Sequence, residues 1–192
     1  MKDFCKRTTD ILLALICLMV LSPLILFIYL SIRIAGPAIY KQERIGKGGK
    51  PFFIYKFRSM KVNAEENGIE LLQSENDPRI TRIGRILRMH HLDELPQLFN
   101  VLIGDMSFVG YRPERQHYIN QIMQQDARYE YLYQIRPGIT SYATLYNGYT
   151  DTMEKMLKRL EMDLDYLKHR SWWEDIKIMC LTAFYVATGK KF

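Results

Sequence analysis

The chain has 192 residues, the upper range of a single domain, so one core plus one special segment is the economical expectation. Its 27 Lys and Arg outnumber its 21 Asp and Glu, and the net charge of +6 suits contact with the phosphates of lipids, nucleotides or nucleic acids. Cys5, Cys17 and Cys180 are too scattered for a disulfide framework or a zinc site, which indicates a reducing cytosol around the body of the protein.

The first feature along the chain is an apolar run. Residues Ile11 to Ile32 carry no charge, and about 20 such residues suffice to cross a bilayer core. No small-residue cleavage site is present, so we expect the segment to be retained and not removed as a secretory signal. A buried core helix is the alternative. We predict a division into 1–36, the membrane helix with its flanks, and 37–192, the body of the protein.

Ser22 and Pro23 lie in the middle of this run. Proline lacks an N–H, so the Met19 carbonyl loses its helical partner and the helix bends, while the Ser22 hydroxyl replaces part of the lost bonding. Basic residues flank both ends of the run, and the positive-inside rule draws both ends toward the cytoplasm. We therefore predict a re-entrant helix that enters and leaves through one leaflet.

A hairpin and a loop follow. Residues Ile39 to Gly46 and Pro51 to Met60 are rich in β-forming side chains and are joined by Gly-Lys-Gly-Gly, which predicts a small β-hairpin. These glycines lack the spacing of a nucleotide-binding P-loop. Asn63 to Asp77 is polar and acidic, and we expect a mobile loop with one helical turn at most.

The next stretch predicts an amphipathic helix. From Ile80 to Met89 the apolar edge is Ile80, Ile83 and Leu87, and the opposite edge carries Arg82, Arg85 and Arg88. Such a helix lies well on an anionic membrane surface, although an ordinary solvated charged face has the same pattern.

Asp93 and Glu94 precede a second short helix. Pro96 suits its first turn and Gly104 its end, so Asp93 is expected at or near a helix N-terminus, where carboxylates and phosphates are stabilised. Asp93 could equally be a plain helix cap. His90 and His91 lack the spacing of a metal motif and receive no catalytic role.

Two later turns each combine arginine with glycine and proline. Arg112 and Arg136 could clamp a phosphate or pair with a surface carboxylate. The aromatic residues that follow the second turn are expected to pack in the core or at an interface. They are Tyr142, Tyr146 and Tyr149.

Two helices are predicted near the C-terminal end. Met153 to His169 carries an apolar stripe and reads as a packing helix, with Met156, Leu160, Leu164 and Leu167 on the stripe. The run from Trp172 to Tyr185 is too short for a second span and is interpreted as a membrane-surface helix, with core burial as the alternative. The fold class is therefore α+β and mostly helical.

Several ordered motifs give the chain a resemblance to a known family over nearly its whole length. It resembles the bacterial sugar transferases, also called small monotopic phosphoglycosyl transferases. The motifs are Lys6-Arg7-Thr8-Thr9-Asp10 before the Ser22-Pro23 run, Tyr55-Lys56-Phe57-Arg58-Ser59-Met60, Arg79-Ile80-Thr81-Arg82-Ile83-Gly84-Arg85, Leu92-Asp93-Glu94-Leu95-Pro96-Gln97 and Gly104-Asp105-Met106-Ser107.

The resemblance implies a re-entrant membrane helix and a catalytic domain on the cytoplasmic face of the bacterial inner membrane. It implies transfer of a sugar 1-phosphate from a UDP-sugar to undecaprenyl phosphate with release of UMP, the first membrane step of surface glycoconjugate assembly. Asp93 would be the nucleophile that carries a covalent phosphosugar, and Glu94 its partner in a dyad that holds Mg²⁺. The sugar is left open among N-acetylated or deoxy-amino hexoses and galactose, and a homodimer is also left open.

The resemblance also implies residues that bind phosphate or substrate. Arg88 matches the position for the acceptor phosphate, Arg112-Pro113 matches the nucleotide site, and the remaining candidates are Arg58, Arg136 and Asp163. The chain departs from the family pattern at Tyr111, where a proline is usual, and at Ser141-Tyr142-Ala143-Thr144, where Gly-Trp-Ala-Gln is usual.

Other functions fit less of the sequence. A membrane-anchored binding protein without catalysis would explain the apolar run and the basic helix but does not require an Asp-Glu pair among arginines. A nucleic-acid partner is not expected, because no reader motif accompanies the basic helix. Direct transfer without a covalent step is the closest mechanistic rival.

Overall fold

The structure, a computed structural model, describes residues 3–64, 77–148, 150 and 152–188. This part of the chain is mostly helical, which confirms the predicted fold class at that level. Nearly all of the loop predicted between Asn63 and Asp77 lies outside the described residues, and so does Tyr149.

The elements are named in chain order. The α-helices are α1 (Asp3–Arg33), α2 (Arg82–Met89), α3 (Gln97–Ile103), α4 (Gln116–Gln125), α5 (Tyr142–Asn147), α6 (Met153–His169) and α7 (Trp172–Thr188). The strands are β1 (Ile39–Ile45), β2 (Pro51–Phe57), β3 (Ser107–Val109) and β4 (Gly138–Thr140). Short 3-10 helices occupy Lys47–Gly49, Leu92–Glu94 and Ala127–Gln134.

Helix α1 contains the predicted apolar run. Among the described helices it alone is long and apolar enough to cross a membrane. Pro23 lies inside it, and the Ser22 hydroxyl donates to the Met19 carbonyl at 2.8 Å, which confirms the predicted replacement of the lost bond. Its apolar side chains are largely exposed, Met19 by 76% and Phe27 by 69%, so the alternative of a buried core helix is wrong.

Both ends of α1 nevertheless contact the body of the protein. Ala14 near the first end belongs to an apolar cluster with Ile54 and Val101. Ile28 near the second end belongs to another cluster, which includes Phe57. The apolar run is thus attached to the body at each end and exposed between them.

The predicted hairpin is present. Strands β1 and β2 pair antiparallel, from Ile39 opposite Phe57 to Ile45 opposite Pro51. Their connection places Gly48 at φ 70° and Gly49 at φ 69°, a left-handed region that favours glycine. Strands β3 and β4 form a separate parallel pair that the sequence did not predict.

The main core is formed mostly by α4, the 3-10 helix Ala127–Gln134, α5, α6 and α7. Helix α6 supplies Met156, Leu160 and Leu164 to it, which confirms the predicted apolar stripe. Helices α4 and α5 were not predicted. Other fully buried members of this core are Val109, Tyr111, Ile119, Leu132 and Ile178.

Helix α7 is half core and half surface. Ile178 is 1% exposed, whereas Trp173 is 82% exposed and Phe184 is 59% exposed. The alternative of core burial therefore holds for one face of α7, and the membrane-surface helix stays a prediction for the exposed face.

Helix α2 has the predicted amphipathic composition, with Ile83 and Leu87 on its apolar edge. Leu87 is buried, whereas Ile83 is 41% exposed. The reason is Gly84, which lies directly against the Ser59 main chain: a Cβ there would be 1.9 Å from the Ser59 carbonyl oxygen. The smallest residue of α2 faces inward and turns Ile83 and Ile86 outward.

We expect Gly84→Ala to destabilise the protein although alanine favours helix over glycine, because the added methyl has no room against a main-chain carbonyl. The melting temperature of the purified protein should fall by roughly 5 °C, as overpacking of about 1–3 kcal/mol predicts. Arg85→Ala, at the exposed next position, is the matched control and should leave it unchanged. A Gly84→Ala protein as stable as wild type would contradict the close docking of α2.

Candidate active site

Asp93 and Glu94 lie together in the 3-10 helix Leu92–Glu94, between α2 and α3. His91, just before it, adopts φ 51° and ψ 22°, the left-handed conformation that ends α2 and reverses the chain. This reversal brings the last turn of α2, which carries Arg88, against the two carboxylates. Burial lowers the pKa of His91, so its ring is neutral at neutral pH.

Helix α3 begins after the carboxylates. Pro96 is its N-cap residue, and Gly104 ends it at φ 103°, so the predicted boundaries are confirmed. Asp93 is not the cap of α3, and the alternative that it merely caps this helix is wrong.

Glu94 is held between two cations. Its Oε1 accepts hydrogen bonds from Lys56 Nζ at 2.6 Å and from Arg112 Nη2 at 3.4 Å. Burial alone would raise the pKa of Glu94, but the charges of Lys56 and Arg112 outweigh it and hold the pKa well below the ordinary value. Glu94 is therefore ionised throughout the physiological range.

Asp93 shows the opposite behaviour. Its side chain is buried, and burial together with the charge of Glu94 raises its pKa, against the attraction of Lys56 and Arg88. Adjacent carboxylates whose pKa values are driven in opposite directions are typical of functional sites. The arrangement suits a fixed anion, Glu94, beside a more basic carboxylate, Asp93.

Lys56 is the site residue that sequence reasoning missed. Its ammonium group is largely buried at the end of β2, and burial lowers its pKa while Glu94 opposes the shift. The signal in the sequence was a lysine among the apolar and aromatic residues of a predicted strand, since a lysine so placed needs a carboxylate partner. The partner lies 38 positions away, which the strand pattern does not indicate.

Asn100 fixes β2 to α3 beneath the site. It is fully buried; its Nδ2 donates to the Phe53 carbonyl at 2.7 Å, and its Oδ1 accepts from the Tyr55 N–H at 3.0 Å. The amide side chain thus binds two alternate residues of β2 as a neighbouring strand would. This sets the position of Lys56 relative to Glu94.

The turn after β3 carries Arg112 and Pro113. Arg112 reaches Glu94 as described, and the Pro113 carbonyl accepts a hydrogen bond from Arg44 Nη1 at 3.2 Å. Tyr111, the departure from the usual proline, is fully buried in the main core, so its side chain points away from the site.

Asp163 lies beneath this turn and is 2% exposed. Burial is the main cause that raises its pKa, to about 7, while Arg159, the Arg112 main-chain N–H and the Ser141 hydroxyl stabilise the carboxylate. Asp163 therefore supports the main chain of Arg112 from below. Ser141, in the second departure from the family pattern, is the N-cap of α5 and is also buried.

Two predicted phosphate ligands lie elsewhere. Arg58 Nη2 donates to the Ala35 carbonyl at 2.9 Å, just beyond the end of α1. Arg136 Nε donates to the Gly104 carbonyl at 2.7 Å, at the end of α3 opposite to Asp93. The structure thus brings Arg88 and Arg112 to the two carboxylates but not Arg58 or Arg136.

The fit of a metal ion depends on the same two carboxylates. Among residues 3–64, 77–148, 150 and 152–188, no group of three or more His, Cys, Asp or Glu side chains could hold one. Mg²⁺ commonly uses one or two carboxylates together with substrate phosphates, and Asp93 and Glu94 meet that requirement. Because Lys56 and Arg112 already bind Glu94, an ion there would share this carboxylate with them.

The sequence model of the bacterial sugar transferase family matches residues 1–189. The chain belongs to the bacterial sugar transferase family.

Three relatives show how this family member compares. It is 45% identical to a UDP-glucose:undecaprenyl-phosphate glucose-1-phosphate transferase of Escherichia coli (strain K12), over 93% of this chain and 39% of that protein. It is 40% identical to a UDP-N-acetylgalactosamine-undecaprenyl-phosphate N-acetylgalactosaminephosphotransferase of Aeromonas hydrophila, over 97% of this chain and 44% of that protein. A glucose-1-phosphate transferase of Caulobacter vibrioides is 41% identical over 94% of this chain and 68% of its own length.

The chain therefore spans about two fifths of the length of the first two relatives. The family match includes both the apolar helix α1 and the two carboxylates, so both lie in the part of the chain that the family shares.

Opposite effects on stability are expected from the two carboxylates at neutral pH. The raised pKa of Asp93 means that the folded protein holds this ionised group less favourably than the unfolded chain does, so Asp93→Asn should keep or raise the melting temperature. The lowered pKa of Glu94 means the reverse, and Glu94→Gln leaves Lys56 buried without its partner, at a cost of about 3 kcal/mol. Thermal unfolding of both variants in detergent measures the difference. Equal losses would contradict the assignment.

The left-handed conformation of His91 predicts an order among substitutions. Glycine adopts φ 51° without strain, and asparagine tolerates it. An ordinary residue is destabilised by roughly 1–2 kcal/mol in this conformation, and a β-branched valine is destabilised by more. We expect melting temperatures in the order His91→Gly, His91→Asn, His91→Val, with valine clearly lowest. If glycine destabilises as much as valine, the imidazole and not the main chain is what this position requires.

Proposed function

We propose that this bacterial sugar transferase is a phosphoglycosyl transferase that moves a sugar 1-phosphate from a UDP-sugar to undecaprenyl phosphate and releases UMP. The observation that carries the proposal is the buried Asp93, whose pKa is raised, beside the ionised Glu94. The charges of Lys56 and Arg88 act on Asp93, and those of Lys56 and Arg112 act on Glu94. The names of the relatives support the substrate classes, and they include glucose, N-acetylgalactosamine and galactose.

In the first step an Asp93 carboxylate oxygen attacks the sugar-linked phosphorus of the donor. A bond from Asp93 to phosphorus forms, the bond from that phosphorus to the bridging oxygen breaks, and the oxygen departs on UMP. The acyl phosphate retains enough free energy for onward transfer. Asp93 attacks in its ionised form, and its raised pKa makes that carboxylate a stronger base.

In the second step a phosphate oxygen of the lipid acceptor attacks the same phosphorus. The Asp93–phosphorus bond breaks, the carboxylate is restored, and the product is a lipid diphosphate sugar. Both attacking groups are anions that approach an anionic phosphate, so the reaction needs cations around the phosphorus.

The cations of the site divide this task. Arg112 contacts Glu94, and the charge of Arg88 acts on Asp93. We assign Arg88 to the acceptor phosphate and Arg112-Pro113 to the nucleotide of the donor. Mg²⁺ bound by Glu94 and Asp93 would neutralise phosphate charge.

The placement of the site at a membrane follows from α1. Arg7 donates to the Val101 and Leu102 carbonyls at 2.5 and 2.8 Å near one end of α1, and Arg58 donates to the Ala35 carbonyl at the other. Because one small body holds both ends of an exposed apolar helix, we propose that both ends lie on the same side of the bilayer, with the bend at Ser22-Pro23. Basic residues flank both ends of the apolar run, which supports the cytoplasmic face of the inner membrane as that side.

UMP release from a panel of UDP-sugars tests the function. The wild-type protein with undecaprenyl phosphate should release UMP from at least one donor, and Asp93→Asn should lower the rate by at least a thousandfold, as loss of a nucleophile generally does. Asp165→Asn, at an exposed position of α6, is the matched control and should retain full activity. No UMP from any donor would favour a membrane-anchored binding protein.

The covalent step has its own readout in the same experiment. Mixing the enzyme with donor in the absence of acceptor should give a phosphosugar adduct on the peptide that contains Asp93, seen by mass spectrometry. Full turnover without this adduct would support direct transfer instead.

A further inference from the structure

A second cluster of cations lies at the opposite end of α3 from the two carboxylates. It lines a cleft between the first turns of α1, the strand pair β3–β4 and the end of α6. The charged residues of this cleft are Lys6, Arg7, Lys47, Arg136 and Arg170, against Asp3 and Asp10. The proposed reaction uses none of them.

Two of the arginines donate to main-chain carbonyls and form no ion pair. Arg7 donates to the carbonyls of Val101 and Leu102, and Arg136 donates to that of Gly104. Within the part of the chain that the structure describes, no carboxylate lies at ion-pair distance from either arginine. Burial lowers the pKa of Arg7, the charge of Arg136 lowers it further, and the charge of Asp10, which lies beyond ion-pair distance, opposes the shift.

A buried hydroxyl lines the same cleft. Ser107 is 1% exposed, and its Oγ has no hydrogen-bond partner, although buried polar groups nearly always have one. A hydroxyl donor beside paired guanidinium groups is the donor set that binds a phosphate oxygen. The remaining cations are neutralised in part, because Lys6 pairs with Asp175 at 2.5 Å, and Lys47 and Arg170 pair with Asp3 at 3.8 and 3.2 Å.

The position of the cleft along α1 indicates the source of the phosphate. Arg7 and Asp10 directly precede Ile11, where the apolar run begins, so the cleft lies at the depth of lipid headgroups when α1 is in a membrane. A second, mostly apolar cleft adjoins it between α1 and α7 and shares Lys6, Asp10 and Val109 with it. The apolar walls are Leu13, Phe108, Trp172, Ile176 and Met179.

We infer that these adjoining clefts form a binding site for one anionic phospholipid. Arg136 and Ser107 donate to its phosphate, Arg7 adds attraction, and an acyl chain lies in the apolar cleft between α1 and α7. The bound lipid would fasten the first turns of α1 to α7 at the membrane surface. This site is separate from the two carboxylates and does not depend on the proposed reaction.

Binding to the full-length protein in detergent tests the site. Short-chain phosphatidylglycerol is titrated and followed by native mass spectrometry and by the shift in melting temperature, in parallel with phosphatidylcholine of equal chain length and with inorganic phosphate. The variants are Ser107→Ala, which leaves no new unpaired group, and Arg136→Gln, which can still donate to the Gly104 carbonyl. Lys158→Gln, an exposed cation on α6, is the matched control.

We expect phosphatidylglycerol to bind with one high-affinity equivalent and to raise the melting temperature more than phosphatidylcholine does. Ser107→Ala should weaken this binding roughly tenfold, as loss of one charge-assisted hydrogen bond predicts, and Arg136→Gln should weaken it further. Lys158→Gln should bind as wild type.

Three outcomes would overturn the inference. They are equal binding of phosphatidylcholine, equal stabilisation by inorganic phosphate alone, and unchanged affinity in both cleft variants while their melting temperatures without lipid match wild type.

Discussion

The ion pair between Glu94 and Lys56, with Arg112 as the second cation, is the constraint on which the candidate site depends. A largely buried carboxylate or ammonium group is costly alone, so each of these groups requires the others. They come from three separate parts of the chain, which are β2, the turn before α3 and the turn after β3. Their mutual requirement holds these parts in one arrangement, and Asp93 takes its environment from it.

Asn100 and Asp163 hold the segments that carry this ion pair in position. Asn100 binds α3 to β2 through two hydrogen bonds at alternate residues, and Lys56 is the next residue after the second of them. Asp163 supports the Arg112 main chain from the opposite side. Both side chains are buried, so each acts by positioning the segment that carries a charged group.

The features that sequence could predict were those with a local cause. Charge-free length identified α1, side-chain alternation and glycines identified the hairpin, and helical spacing identified α6. The interpretation of Asp93 and Glu94 as a functional pair came from the family motif. The structure adds that their pKa values shift in opposite directions, which the motif alone does not indicate.

The features that sequence missed depend on contacts between distant segments. Lys56 meets Glu94 only through the fold, and the parallel pairing of β3 with β4 joins segments separated by α4 and a 3-10 helix. The same limit explains Arg136. Its Gly- and Pro-marked turn resembles that of Arg112 locally, but the tertiary fold directs one arginine to Glu94 and the other to the far end of α3.

Helix α3 connects α1 to the two carboxylates of the candidate site. Its first turn follows Asp93 and Glu94 directly, and its last carbonyls accept hydrogen bonds from Arg7 of α1. Arg7 of α1 and the two carboxylates thus lie at opposite ends of one short helix, which Asn100 fixes to β2. In the proposed reaction, a water-soluble donor and a lipid acceptor would have to reach the nucleophile at one particular depth. With α1 in a bilayer as proposed, that depth would follow from how far α1 enters it, because Arg7 at one end of α1 and Arg58 at the other hold the helix to the body.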